Sequence, residues 1–146
     1  LVFALLASLF LLREVEASNA LSSSWVFDHV AQELTWGLPS SKTDYMALGT
    51  TRTWGCLCGI DGLACPYHLA VLHMEWLVST GRASATCDCP LFPTIAGGHS
   101  SKQAVVESFE VLGASMGQPL FSSAGVRLFG GHTPRVTGAQ SLAALM

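Results

Sequence analysis

The chain has 146 residues, half of them apolar and only 12% charged, against roughly 25% charged in an ordinary soluble domain. That is one domain's worth of core-rich material, with no internal repeat or low-complexity linker. A net charge of −3 with only seven Lys and Arg excludes a broad basic nucleic-acid surface unless the few basic residues converge on one spot.

Residues 1–12 are apolar except for Ser8 and run into Arg13-Glu14-Val15-Glu16. The run has the length of a signal-peptide core, and Val15-Glu16-Ala17 resembles a small-residue cleavage site. However, no basic segment precedes it, and twelve residues are too few to cross a bilayer. A buried helix is expected instead, with Leu5, Leu9 and Leu12 on one face and Arg13 pairing with Glu16 near its end.

From 34 to 54 the pattern changes to strands. Leu34-Thr35-Trp36-Gly37-Leu38 and Thr50-Thr51-Arg52-Thr53-Trp54 flank the polar turn Pro39-Ser40-Ser41-Lys42-Thr43-Asp44, which predicts a hairpin with Lys42 near its tip. Cys56, Cys58 and Cys65 with His68 follow. On a strand, Cys56 and Cys58 would share a face, and Cys65 with His68 could complete a tetrahedral structural zinc, though in a reducing compartment all five cysteines can also stand as free thiols.

A helix is predicted over 66–79, opened by Pro66, with Leu69, Leu72 and Trp76 on one face. Leu91-Phe92-Pro93 leads into a Gly97-Gly98 turn, after which Ser100 opens a capping box with Gln103 and a helix runs to Met116, carrying Val105, Phe109 and Leu112. The last element follows Gly130-Gly131-His132. There Thr133 suits an N-cap and Pro134 the first helical position, so a helix runs from Thr133 onward. His132 just ahead of a helix N-terminus and Arg135 in its first turn suit a phosphate, which the helix end and the guanidinium fork both favour.

Taken in order, Arg13-x-x-Glu16, Ser41-Lys42-Thr43, Leu91-Phe92-Pro93-Thr94, Ser101-Lys102-Gln103-Ala104-Val105 and Gly131-His132-Thr133-Pro134-Arg135 resemble the catalytic domain of a tyrosine recombinase, or phage-integrase-type enzyme. The five motifs stand in the family's order, cover nearly the whole chain, and are closest in flavour to recombinases of eukaryotic mobile elements. The resemblance implies an α+β, mainly α fold: a helical catalytic domain of integrase type with one small antiparallel β-hairpin or sheet. It implies that Arg13 is the first catalytic arginine, Lys42 the hairpin lysine, and His132 with Arg135 the second basic pair, so that all four should converge on one surface.

The activity implied is DNA strand cleavage and rejoining in site-specific recombination or DNA integration, without a metal ion or other cofactor. A tyrosine hydroxyl attacks the phosphodiester in line, two guanidiniums stabilise the charge developing on the non-bridging oxygens, Lys42 protonates the leaving 5′ oxygen, and His132 orients the phosphate. The implied partner is double-stranded DNA, with a homo-oligomer on DNA when full length and no membrane. The implied location is nuclear in a eukaryote, otherwise cytoplasmic, and not secreted. Tyr45 and Tyr67 are the chain's two tyrosines and both precede Arg135. Residues 1–146 are therefore expected to be a truncated catalytic domain, lacking the N-terminal DNA-clamping domain and the C-terminal nucleophilic tyrosine. A zinc-stabilised cysteine-rich interaction module and a secreted protein with a signal peptide remain alternatives, separable by metal analysis and by the state of the cysteines.

Overall fold

The computed structural model of the chain describes residues 1–38, 49–61, 64–84 and 88–144. Five α-helices stand among them: α1 (Val2–Leu9), α2 (Glu14–Ser18), α3 (Pro66–Ser79), α4 (Lys102–Ser115) and α5 (Thr133–Ala143). Strands β1 (Trp25–Asp28), β2 (Glu33–Leu38) and β3 (Thr50–Gly55) form one antiparallel sheet in the order β1-β2-β3. This is the mainly helical α+β class expected.

The sheet contains the predicted hairpin arms as β2 and β3, and β1 adds a strand that the sequence pattern does not announce. Asp28 makes it possible: its Oδ1 accepts from the N–H groups of Val30 and Ala31, 2.9 Å each, and so closes the β1–β2 turn. Register aligns Trp25, Trp36 and Arg52 in one row across the sheet and Phe27, Leu34 and Trp54 in the next. The period-two alternation of strands puts these rows on one face, where Trp25, Leu34 and Trp36 are buried. Trp36 meets Phe10 edge to face at 5.1 Å and Trp25 at 5.2 Å. Burying side chains of this size contributes about 1.5–3 kcal/mol each, so the sheet is held against the end of α1 largely by these rings.

Residues 1–12 do not continue as one helix up to Arg13. The Leu12 N–H reaches back to the Ala7 carbonyl (2.8 Å) and the Leu11 N–H to that of Ser8 (3.0 Å), a Schellman closure in which Leu11 takes the left-handed position with φ 51°. Arg13 thus begins a new turn ahead of α2 and does not extend the face of Leu5, Leu9 and Leu12. The buried positions are Ala4, Leu6, Ala7, Leu9, Phe10 and Leu12, because α1 is apolar all round and packs against α3, α5 and the sheet face.

The other helices keep their predicted places with changes of detail. In α3 the buried residues are Pro66, Tyr67, Ala70 and Leu77, while Leu72 and Trp76 are exposed. Apolar residues surround this helix, so two faces satisfy the helical period equally and packing selects the other one. The cap of α4 is Ser101, whose Oγ accepts from the Ala104 N–H at 3.0 Å. Ser100 instead donates to the Phe92 carbonyl at 2.8 Å. In α5 the cap position belongs to His132 and Thr133 is already helical, its Oγ1 accepting from the Gly130 N–H at 2.8 Å. Among the described residues no helix is long and apolar enough to cross a membrane.

The crossing of α1 and α5 positions the site described next. At Gly138 an added Cβ would collide with the Ser8 carbonyl and the Leu11 side chain. Ala in place of Gly inside a helix ordinarily gains about 1 kcal/mol, yet here the collision is with backbone, and overpacking costs about 1–3 kcal/mol or more. Gly138→Ala should therefore lower the urea midpoint, whereas Gly130→Ala, which meets nothing within 4 Å, should leave it nearly unchanged. A stabilised Gly138→Ala protein would contradict the close crossing.

Candidate functional site

A helix leaves its last carbonyls without intrahelical donors. At the end of α1 side chains from two distant elements supply them. Trp54 Nε1–H donates to the Leu9 carbonyl at 2.9 Å, and Arg52 Nη1 to the carbonyls of Phe10 and, at 2.8 Å, Leu11. From α5, Arg135 Nε also donates to the Leu11 carbonyl at 2.8 Å. Cations at a helix C-terminus are favoured by about 0.3–1 kcal/mol each, and here the bonds also fix where two guanidinium planes lie.

Glu16 supplies the countercharge. It is 5% exposed, and its Oε2 accepts from the Arg13 backbone N–H at 2.7 Å and pairs with Arg135 Nη2 at 3.2 Å. The expected Arg13–Glu16 pairing is therefore corrected: the carboxylate holds Arg13 by its backbone, as an N3 acid does at a helix start, and gives its ion pair to Arg135. Burial pulls the Arg52 guanidinium below its ordinary pKa, Glu16 opposes this, and Arg135 and Arg13 add to the lowering. Arg13 and Arg135 thus lie close enough to Arg52 to bear on its charge, with Glu16 the buried carboxylate among them. Arg13 Nε is buried and has no hydrogen-bond partner among the described residues.

Of the residues that the sequence marks, the Arg13 backbone and the Arg135 side chain are both held by Glu16 despite more than a hundred residues between them. His132 stands at the cap of α5, one turn before Arg135, exposed, its imidazole without a hydrogen bond among the described residues. It lines a cleft of about 490 Å³ together with Arg127, Phe129 and Gly131, and Arg127 is tied there to Glu110 at 2.5 Å. The arginines around Glu16 are not part of that cleft's lining. Lys42, like Tyr45, lies outside the described residues. Arg52 is the member that sequence reasoning passes over, although its alternation with Trp54 marks a charged residue on the inward face of a strand.

A second cluster lies at the far end of β3. Cys56 and Cys58 follow the strand instead of lying on it, Cys65 caps α3, and His68 sits in its first turn. His68 Nδ1 lies 3.6 Å from Cys56 Sγ, 3.2 Å from Cys58 Sγ and 3.2 Å from Cys65 Sγ, and the Cys56 and Cys65 sulfurs are 3.7 Å apart. Hydrogen bonding to Cys56, then Cys65 and burial, pushes the Cys58 thiol up to about 11. Burial pushes Cys65 up as well, but bonds from His68, Leu57 and Cys56 outweigh it and bring that thiol down to about 6.

Neither a family model nor a curated protein matches the chain.

The role of Glu16 can be tested without any ligand. Removing one partner of a buried pair leaves uncompensated charge at a cost of about 3–5 kcal/mol, and the lower end applies because the Arg135 side chain keeps 29% exposure. Glu16→Gln should lose about 3 kcal/mol of unfolding free energy. Glu16→Gln combined with Arg135→Met should lose less than the sum of the single changes. Additive losses in that cycle would mean that the two residues do not share a charge balance.

Proposed function

We propose that the domain binds a DNA phosphodiester and acts in strand cleavage and rejoining as a tyrosine-recombinase-type catalytic domain, with the arginines around Glu16 as its electrostatic centre. The observation that carries this is Arg13 Nε, buried without an acceptor among the described residues, beside a cluster in which Glu16 pairs with Arg135 and holds the Arg13 backbone while Arg52 is anchored next to them. A buried donor left unpaired costs about 1–3 kcal/mol, and an anion between Arg13 and Arg135 would relieve the orphaned donor.

Within the proposal Arg13 and Arg135 hold the non-bridging oxygens, where fixed forks stabilise charge that grows in the transition state. His132, exposed at the start of α5 in the cleft beside Arg127, and Lys42 take their roles from the resemblance alone, His132 orienting the phosphate and Lys42 acting as general acid on the leaving oxygen. Arg52 is a positioning residue, its Nη1 held by the Phe10 and Leu11 carbonyls; Arg135, whose Nε and Nη2 are held by the Leu11 carbonyl and Glu16, offers the phosphate its Nη1. Both tyrosines of residues 1–146 precede Arg135, whereas the resemblance places the nucleophile after it, so neither is assigned that role. Tyr67 is 5% exposed and its hydroxyl bonds His29 Nδ1 at 2.8 Å, whereas in-line attack needs an oxygen about 3–3.5 Å from phosphorus. The reaction belongs where DNA is held, the nucleus of a eukaryote or otherwise the cytoplasm, and a DNA-bound oligomer of the full-length protein goes with it.

The experiment pairs fluorescence-polarisation binding of a short DNA duplex at two salt concentrations with a suicide DNA substrate resolved on a denaturing gel. Weak, salt-sensitive binding is expected from so few basic residues, with no protein–DNA adduct from residues 1–146 alone. Charge-assisted hydrogen bonds are worth about 1.5–3 kcal/mol, so Arg135→Lys, which keeps the charge and loses the fork, should weaken binding about tenfold or more. His132→Ala should also weaken it without loss of stability, and Lys102→Ala should not. Unchanged affinity in Arg135→Lys, or an adduct mapped to Tyr67, would overturn the proposal.

A further inference from the structure

We propose that Cys56, Cys58, Cys65 and His68 form a tetrahedral Cys3His zinc site that clips the end of β3 to the start of α3. The four ligand atoms lie within 4.8 Å of one another, and they come from two segments, the strand end after Gly55 and the start of α3, that the Leu57 N–H to Cys65 Sγ bond joins. Cys65 and His68 are three apart at a helix start, a spacing that puts both side chains on one side.

The distances through Cys56 match the metal, and the others come close to it. Zinc lies about 2.3 Å from thiolate sulfur and about 2.0–2.1 Å from imidazole nitrogen, so a tetrahedral site holds two sulfurs about 3.8 Å apart and sulfur from nitrogen about 3.6 Å. The Cys56–Cys65 separation is 3.7 Å, and the sulfur–nitrogen separations are 3.6, 3.2 and 3.2 Å. Hydrogen bonds alone do not account for this convergence. Nδ1 of an imidazole carries one proton or one lone pair, so it can satisfy one sulfur and not three. A disulfide does not account for it either, because sulfur–sulfur bonding needs about 2.05 Å and would leave the third thiol and the imidazole crowded without purpose.

Three thiolates and one imidazole form a borderline-soft set that selects zinc over magnesium or calcium. The Leu57 N–H donates to Cys65 Sγ at 3.3 Å, the kind of backbone bond that orients a metal-bound thiolate. Four donors from the protein close the coordination shell, so the site is structural and offers no open position for catalysis. Cys89 is buried elsewhere, its backbone N–H bonded to Ser22 Oγ at 3.1 Å, and takes no part.

The test is metal content and cobalt substitution in the whole chain, purified under reducing conditions. About one zinc per chain should survive desalting, in keeping with the one site proposed. Cobalt(II) exchanged into the protein should give the intense visible bands of tetrahedral thiolate coordination, and chelation should lower the melting temperature. Cys65→Ser and His68→Ala should each lose the metal and the cobalt bands, while Cys89→Ala keeps both. Wild-type protein that holds no zinc and shows no tetrahedral cobalt spectrum after reconstitution with reduced thiols would overturn the site, and this readout does not depend on any variant folding.

Discussion

The carbonyl end of α1 is the constraint on which the rest depends. Leu9, Phe10 and Leu11 present three acceptors in a region packed between the sheet and α5, and buried acceptors need donors. Trp54, Arg52 and Arg135 supply them, so a sheet strand and the last helix are both registered on one helix end. The left-handed Leu11 costs roughly 1–2 kcal/mol in a residue with a side chain. That cost is offset where its carbonyl accepts from two guanidiniums at 2.8 Å each, and the same reversal turns the backbone so that Arg13 faces the same spot.

Once the arginines are gathered there, Glu16 becomes obligatory. A cluster of like charges in a partly buried place is tolerated only with a counterion, and Glu16, nearly inaccessible and bonded to both Arg13 and Arg135, is the protein's own. The proposed anion site rests on this gathering of arginines around Glu16, with Glu14 packed nearby against Gly131. The chain is acidic overall, yet three of its seven basic residues act together. Its other basic side chains in the described residues are placed elsewhere: Arg127 on Glu110, Arg82 on the Thr94 carbonyl and over Trp76, Lys102 in solvent. Local convergence, and not net charge, is the property on which the proposed phosphate binding rests.

Much of this was legible from residue patterns and some was not, for identifiable reasons. Pro66, Ser101 and Pro134 mark helix starts through backbone chemistry that acts over three or four residues, so α3, α4 and α5 begin within a residue or two of where the pattern puts them. The hairpin of β2 and β3 follows from β-branched and aromatic residues on both sides of a polar turn. The break between α1 and Arg13 carries no such mark, since Leu stands at a left-handed position where Gly would have announced it. Arg52 was hidden because an inward arginine on a strand looks like a surface residue until its acceptors, more than forty positions earlier, are known. The pairing of Glu16 with Arg135 and not with Arg13's guanidinium is likewise a long-range fact that local spacing does not encode.

The most direct measurement of the central claim is the response of individual arginine side chains to DNA, followed by the Nε–H resonances of the five arginines during titration with a short duplex. If the cluster around Glu16 is the phosphate site, Arg13 and Arg135 shift saturably and together, Arg13 most because its Nε–H begins without an acceptor, while Arg82 and Arg127 stay where they are. Parallel, unsaturating shifts of all five, or shifts confined to Arg127 in the cleft beside His132, would contradict the account.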